Sequence, residues 1–136
     1  MSFKDSSIVP VVAVDDLERA KAFYRDKLGF SVREDESMPG GAVVEVGSKD
    51  YLFLYKTEFK RGENTVASFL VPDVEEAVRE LRGRGVTFEE YDLPGLKTED
   101  GIVTINESNR GAFFKDSEGN TIAISTDFTE ALRRAA

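Results

Sequence analysis

The chain has 136 residues, of which 40% are hydrophobic and 32% charged, and its net charge is −8. This length and composition predict one folded domain, residues 1–136, with a hydrophobic core of its own. The acidic excess repels phosphate groups, so we expect no nucleic acid partner. No apolar run approaches the roughly 18 residues of a membrane helix, and there is no cysteine for a disulfide framework. We therefore expect a cytoplasmic protein with no membrane partner.

The first half of the chain predicts the element order β-α-β-β-β. Ser7–Val14 is apolar and uninterrupted, which is typical of a strand covered on both faces. The aspartates that follow predict a capped helix, and Gly29 predicts its end. Phe30–Asp35 alternates as a strand does, and "AVVEV" and "YLFLY" predict two more strands joined by a turn at Gly47.

The second half repeats this order. Val66–Val71 predicts a strand, Asp73 predicts the cap of a second helix, and Val86–Tyr91 predicts the returning strand. "GAFFKD" and "NTIAIST" predict a closing hairpin whose turn uses the positive φ that Gly119 permits. Residues 127–136 then predict a C-terminal helix.

The spacing of the two copies reveals an insertion in the second one. The helix starts, Asp16 and Asp73, are offset by about 57 residues, whereas the last strands are offset by about 70. The extra residues fall within 92–110, which are rich in turn residues and show no clear period. We interpret this segment either as a lid over a binding site or as a disordered surface loop.

The repeat predicts the fold class. A single βαβββ unit leaves one sheet face uncovered by its helix, so two units are expected to associate. We predict an α+β fold of two tandem βαβββ modules, about residues 7–56 and 65–126. The modules are expected to form a curved sheet around a cleft, with the helices outside.

These features resemble the vicinal-oxygen-chelate superfamily, which includes glyoxalases, bleomycin-resistance proteins and extradiol dioxygenases. The resemblance rests on "VAVDDLERAKAFYRDKLGF" and on "FFKDSEGNTIAI", which is similar to the superfamily's F-x-D-P-x-G-N hairpin with Ser117 in place of proline. It covers about residues 7–126 and implies a small-molecule ligand and a homodimer. It does not imply one particular reaction, because one fold hosts many activities.

In the metal-using relatives, four cleft-facing positions bind a divalent ion, usually through histidine and glutamate. Spacing from the motifs places these four positions on Val9, Phe53, Val66 and Ala123. None of these side chains carries an oxygen, nitrogen or sulfur donor, which a divalent metal requires. We therefore expect no metal at the inherited site and no cofactor.

Strand alternation predicts which side chains face the cleft instead. With Phe53 inward, Tyr51 and Tyr55 share its face, while Leu52 and Leu54 pack under the helices. The predicted ligand-binding residues are Val9, Val11, Glu45, Tyr51, Phe53, Tyr55, Val66, Ser68, Phe113 and Ala123. Such a lining suits a flat or apolar small molecule. The alternative is that the aromatic side chains fill the interior and leave no cavity.

Glu45 has two interpretations. It forms a salt bridge or is simply solvated at the cleft rim, or it holds a cationic group together with Tyr51 or Tyr55. Lys115 is its counterpart in the second copy.

Three hypotheses about function follow. The first is a metal-free protein of the bleomycin-resistance type that sequesters an aromatic or cationic compound. The second is an enzyme that works without the shared metal, through groups such as Glu45 and Tyr51; with no histidine in the chain, Ser-His schemes are excluded. The third is a regulatory or scaffolding module whose cleft is packed. No catalytic residue is assigned.

Overall fold

The computed structural model describes residues 2–135, and the chain divides into two compact units. Unit 1 ends at Lys60 and unit 2 begins at Arg61. The predicted mixed fold of two consecutive units with β, α and then β elements is confirmed. Within residues 2–135, no helix is long and apolar enough to cross a membrane. Ala136, the last residue of the predicted C-terminal helix, lies outside the described residues.

Unit 1 contains one four-stranded sheet, in the order β1-β4-β3-β2. Strand β1 pairs in parallel with β4, and the other pairs are antiparallel. After a short 3₁₀ turn at Phe3–Asp5, its elements are β1 Val11–Val14, α1 Leu17–Ala22, a π-helical continuation Phe23–Lys27, β2 Ser31–Arg33, β3 Gly41–Val46 and β4 Asp50–Lys56. The order agrees with the prediction.

The first helix begins and ends where local chemistry predicts. The Asp16 carboxylate accepts a hydrogen bond from the Arg19 backbone N–H at 3.0 Å, which satisfies one of the free donors at the helix start. Gly29 adopts φ 83°, the left-handed conformation that stops a helix. The π-helical segment between them was not predicted.

Strand β1 is shorter and more exposed than its sequence predicts. Its ladder runs only from Val11 to Val14, because Pro10 has no N–H to donate, although the Pro10 carbonyl still accepts from the Phe53 N–H at 2.9 Å. Val11 is 53% exposed, so the prediction of a strand covered on both faces is wrong.

The two faces of the unit 1 sheet differ in burial. On the covered face, Val12, Val14, Ala42, Val44, Leu52 and Leu54 are all buried. Helix α1 packs against β3 and β4 and, with its continuation, contributes the buried side chains of Ala20, Tyr24 and Leu28. The opposite face, which we call the unit 1 open face, carries Val11, Val43, Glu45, Tyr51, Phe53 and Tyr55. The predicted alternation of β4 is therefore confirmed.

Unit 2 contains one six-stranded sheet, in the order β5-β10-β9-β8-β7-β6. Its strands are β5 Thr65–Val71, β6 Asp92–Leu93, β7 Leu96–Glu99, β8 Ile102–Thr104, β9 Arg110–Lys115 and β10 Thr121–Thr126. Helix α2 is Val74–Gly83, capped by Asp73, and α3 is Thr129–Ala135. Val74, Val78 and Leu81 of α2 are buried, and the helix packs against β9 and β10.

Two predictions for unit 2 are wrong. Val86–Tyr91 does not form the returning strand, because only Phe88 makes a bridge, to Phe114. Residues 92–110 are not a disordered loop, since they contain β6, β7 and β8. Strand β8 pairs with β9, so it takes the place in this sheet that β2 has in unit 1, while β6 and β7 extend the edge.

The closing hairpin is held by buried polar groups. The Asp116 carboxylate accepts hydrogen bonds from the backbone N–H groups of Glu118 and Asn120, both at 2.9 Å, and from the Asn120 side chain at 3.0 Å. Gly119 has φ 87°, as predicted. An added Cβ would lie 2.6 Å from Arg61 Nε, but the flexible arginine side chain can move aside, so the turn needs glycine for its positive φ.

Candidate functional site

A cavity of about 690 Å³ lies on the unit 1 open face. Its lining residues are Val9, Val11, Arg33, Met38, Val43, Tyr51, Leu52, Phe53 and Tyr55. We call this the unit 1 cavity. Its volume falls in the range of small-molecule sites, which are about 300–1,000 Å³, and its aliphatic and aromatic lining is typical of them.

The sheet register brings the aromatic side chains of the unit 1 cavity together. Tyr51, Phe53 and Tyr55 alternate along β4 and therefore point to the same side. Val11 lies directly beside Phe53 on β1, and Val43 lies opposite it on β3. Val11, Tyr51 and Tyr55 are 53%, 48% and 37% exposed, so this apolar surface is accessible to a ligand.

The charged groups at this cavity neutralise each other. Arg33 Nε lies 2.9 Å from Glu45 Oε1, and both side chains are about half exposed. The hydrogen bond to Glu45 raises the pKa of Arg33 above its usual value, so the guanidinium stays charged. Glu45 therefore takes part in a surface salt bridge, the first of its two predicted roles, rather than standing as a lone carboxylate beside the tyrosines.

The uncovered face of the unit 2 sheet is more polar. Ala123 pairs with Ser68 on one side and with Phe113 on the other. The Ser68 hydroxyl lies 3.1 Å from the Ser125 hydroxyl, within hydrogen-bonding distance. Val66, at a β-bulge in the ladder, is 48% exposed, whereas Ala123 is buried.

Phe113 belongs to a second cavity, of about 560 Å³, within unit 2. Its lining residues are Glu63, Thr65, Glu89, Tyr91, Leu93, Leu96, Phe113, Lys115 and Thr121. Tyr91 meets Phe113 edge-on, with 5.7 Å between ring centroids. Burial raises the pKa of Tyr91, and the negative charges of Glu89 and Glu63 raise it further. The phenol therefore stays protonated at neutral pH and is not a ready proton acceptor.

The ten predicted site residues fall into two groups. Five of them, Val9, Val11, Tyr51, Phe53 and Tyr55, line the unit 1 cavity, with Glu45 beside it. Phe113 lines the second cavity, and Val66, Ser68 and Ala123 lie on strands of the six-stranded sheet of unit 2. That the two groups form one cleft stays a prediction.

Sequence reasoning missed several lining residues, among them Val43, Arg33, Met38 and Tyr91. Val43 was detectable, because alternation along β3 places it on the same side as Glu45. The other three were not, since Arg33 lies on a short edge strand, Met38 lies in a turn, and Tyr91 ends the segment that failed to form a strand.

The model of the Glyoxalase/Bleomycin resistance protein/Dioxygenase superfamily matches residues 7–124. The chain belongs to this superfamily. Among curated proteins, none matches the chain in sequence.

Solved structures agree with the superfamily at the level of the fold. The crystal structure of UcmS2 has a TM-score of 0.67 and 24% identity, over 90% of this chain and 99% of that one. A glyoxalase family protein from Enterococcus faecalis gives 0.64 and 20%, over 91% and 99%. Lactoylglutathione lyase from Agrobacterium tumefaciens gives 0.61 and 17%, over 90% and 93%. At these identities the likeness establishes the shared fold and nothing about activity.

The residues at the predicted metal positions do not fit the metal that metal-using members of the superfamily hold. The two predicted metal positions in unit 1 are Val9 and Phe53, and their side chains, which line the unit 1 cavity, contain carbon atoms only. Within residues 2–135, no group of three or more His, Cys, Asp or Glu side chains is placed to hold a metal ion. Divalent ions need oxygen, nitrogen or sulfur donors, so Val9 and Phe53 offer an apolar surface instead of metal ligands.

Proposed function

We propose that this superfamily member binds and sequesters a flat aromatic compound in the unit 1 cavity, without a metal ion. The observation that carries the proposal is an open, ligand-sized cavity with an apolar, aromatic lining at the positions where the sequence predicts the inherited metal ligands. Val9 and Phe53, the predicted metal positions of unit 1, both line this cavity, and Tyr51 and Tyr55 flank Phe53 on the same strand. Stacking and edge contacts with aromatic rings are worth about 0.5–1.5 kcal/mol per ring pair beyond the area buried.

The charge arrangement favours an aromatic ligand over a cationic one. In the predicted cationic mode, Glu45 would hold the cation together with a tyrosine, but Arg33 already holds that carboxylate at 2.9 Å. Recruiting Glu45 would leave the guanidinium beside the incoming positive charge, which is repulsive. A neutral aromatic molecule needs no such rearrangement.

A fluorescence titration of the full chain with the neutral probe N-phenyl-1-naphthylamine tests the binding proposal. We expect saturable binding that weakens in Tyr51→Ala, because this substitution removes an accessible wall of the cavity. Ile105→Ala is the matched control, since Ile105 is exposed and does not line this cavity. No saturable binding by the unaltered protein, or equal weakening in both variants, would refute the proposal.

A calorimetric titration with Mn²⁺, Ni²⁺ and Zn²⁺ tests the metal-free part separately. We expect no saturable heat from the unaltered protein, and the same result from Tyr51→Ala. Phe53→Glu supplies one donor and serves as the comparison. Stoichiometric binding of any of these ions by the unaltered protein would contradict the proposal.

An enzyme that uses Glu45 and Tyr51 is the second candidate. Its support is that the two residues lie directly opposite each other on β3 and β4. Turnover of a glyoxalase-like or epoxide-like substrate that survives a chelator but is lost in Glu45→Gln would favour this candidate over a binding protein. The third hypothesis, a module with a packed cleft, has less support because the unit 1 cavity is open.

We also propose that the protein is a homodimer. The resemblance implies it, and the half-exposed Val9, Val11 and Tyr51 are apolar surface that a second copy would cover at least in part. Sedimentation equilibrium distinguishes the dimer from a 15.1 kDa monomer. A monomeric mass across the micromolar range would contradict this part of the proposal.

A further inference from the structure

Gly41 and Phe53 are in unusually close contact on the unit 1 open face. Phe53 pairs with Val43, and Gly41 pairs with Tyr55, so the two residues are diagonal neighbours on adjacent antiparallel strands. A Cβ added at position 41 would lie 2.2 Å from Cζ and 2.7 Å from Cε1 of Phe53. The ring therefore extends along the sheet towards β3 and occupies the space that any side chain at position 41 would need.

The ring has only one direction in which to yield. The covered face beneath it is packed, since Ala42 and Leu54 are 1% and 0% exposed. Val43 and Tyr55 stand on either side along the open face. A ring displaced from its place beside Gly41 would therefore move outward, into the unit 1 cavity that Phe53 lines.

We infer that Gly41 keeps the Phe53 ring out of the unit 1 cavity and so leaves room for a flat ring system to bind. The inference rests on the proposed function and deepens it. A cavity of about 150 Å³ is large enough to hold benzene, so an outward-turned ring would remove a comparable share of the 690 Å³. Gly41 itself contacts no ligand and acts through Phe53, as a positioning residue.

A purely structural role for the same contact makes a different prediction. Aromatic side chains that cover a strand glycine stabilise the sheet, and a strand glycine costs about 0.5–1 kcal/mol relative to alanine. On that account Gly41→Ala changes stability without changing the affinity of folded protein. On ours it changes affinity, and only when the ring is present.

The test is a double-mutant cycle in the full chain, with binding of N-phenyl-1-naphthylamine as the readout. We expect Gly41→Ala to weaken binding at least about tenfold, and the Gly41→Ala/Phe53→Ala double variant to bind within about threefold of Phe53→Ala alone. Gly41→Ala that binds as tightly as the unaltered protein overturns the inference. So does an equal weakening by Gly41→Ala whether or not Phe53 is shortened.

Stability is checked in the same four proteins by urea unfolding. If Gly41→Ala unfolds the chain and the double variant folds again, the collision between the methyl group and the ring is demonstrated; the inference is then supported if the refolded double variant binds the probe within about threefold of Phe53→Ala, and overturned if it does not. If the double variant also stays unfolded, the methyl group acts without the ring and the inference fails.

A measurement without any ligand separates this inference from the proposed function. In the unaltered protein we expect a nuclear Overhauser effect between the Gly41 α protons and the Phe53 ring protons. If the effect is present but no variant binds the probe, the proposed function fails while the ring placement stands. If the effect is absent, the inference fails even if the probe binds.

Discussion

Substitution of Asp116 is the sharpest test of how the closing hairpin of unit 2 is stabilised. The side chain is 5% exposed and joins β9 to β10. Its carboxylate accepts hydrogen bonds at 2.9–3.0 Å from the backbone N–H groups of Glu118 and Asn120, which lie inside the turn, and from the Asn120 side chain. Asp116→Ala removes this acceptor and leaves the turn's donors facing a small cavity.

The expected loss follows from these contacts. A buried donor that loses its acceptor costs about 1–3 kcal/mol. The two backbone donors cannot turn away, whereas the Asn120 amide can rotate, so we expect Asp116→Ala to lower the free energy of unfolding by about 3 kcal/mol. Asp116→Asn keeps one acceptor oxygen and should lose about 1–2 kcal/mol. For a protein whose total stability is about 5–15 kcal/mol, both losses are readily measured.

Urea unfolding followed by circular dichroism measures these losses. The matched control is Asp127→Ala, because the Asp127 carboxylate also accepts from a backbone N–H and a side chain two residues ahead, those of Thr129, but lies at the exposed start of α3. We expect a clearly smaller loss there. A loss below about 1 kcal/mol in Asp116→Ala, or equal losses at the two aspartates, would refute the argument from burial.

Three further predictions concern the surface and the core. The Thr129 hydroxyl and backbone N–H donate hydrogen bonds to Asp127 and hold the pKa of its carboxyl group below its usual value. These hydrogen bonds therefore stabilise the folded state fully above the unfolded pKa of about 4, and this stabilisation is lost as the pH falls through the folded pKa. NMR titration of Thr129→Ala should show that pKa rise, and an unchanged value would contradict the assignment. Leu54→Ala should lower the free energy of unfolding in urea by about 2–5 kcal/mol, because Leu54 is fully buried. Tyr51→Ala should lower it by less than about 1 kcal/mol, because Tyr51 is half exposed. Similar losses in the two variants would contradict a sheet with one buried and one exposed face. Glu45→Gln should cost less than about 1 kcal/mol and leave probe binding unchanged, since an exposed salt bridge contributes little, and a large loss in either measurement would contradict this.

The sequence predicted the features of this fold that are decided locally. Asp16 and Asp73 cap their helices because a short side-chain oxygen can reach the N–H three residues ahead. Gly29 and Gly119 occur where the backbone needs positive φ. Alternation along β4 correctly separated the buried leucines from the aromatic face, because the two sides of a strand are fixed by its period of two.

Competition between distant segments was not visible in the sequence. Val86–Tyr91 has the composition of a strand, yet β8 occupies the edge of β9 from Arg110 to Ala112 and leaves only Phe88 to pair there. Which of two segments pairs with β9 depends on the length and geometry of the intervening chain. The same limit applies to Met38, whose place in the unit 1 cavity depends on the path of a turn.

The covered faces of the two units are alike. Leu52 and Leu54 of β4 correspond by the 70-residue offset to Ile122 and Ile124 of β10, and all four are at most 3% exposed. Each pair packs on the side of its sheet that carries the helix of the same unit. Folding requires large apolar side chains at these positions, since deleting one costs about 2–5 kcal/mol.

The open faces of the same two strands differ. Tyr51, Phe53 and Tyr55 in β4 correspond by the same offset to Thr121, Ala123 and Ser125 in β10. Thr121 and Ala123 are buried, whereas Tyr51 and Tyr55 are about half exposed, so the same strand pairing order carries small buried residues in one unit and large accessible aromatic residues in the other. The accessible aromatic side chains of unit 1 are therefore the surface on which the proposed ligand is to be sought.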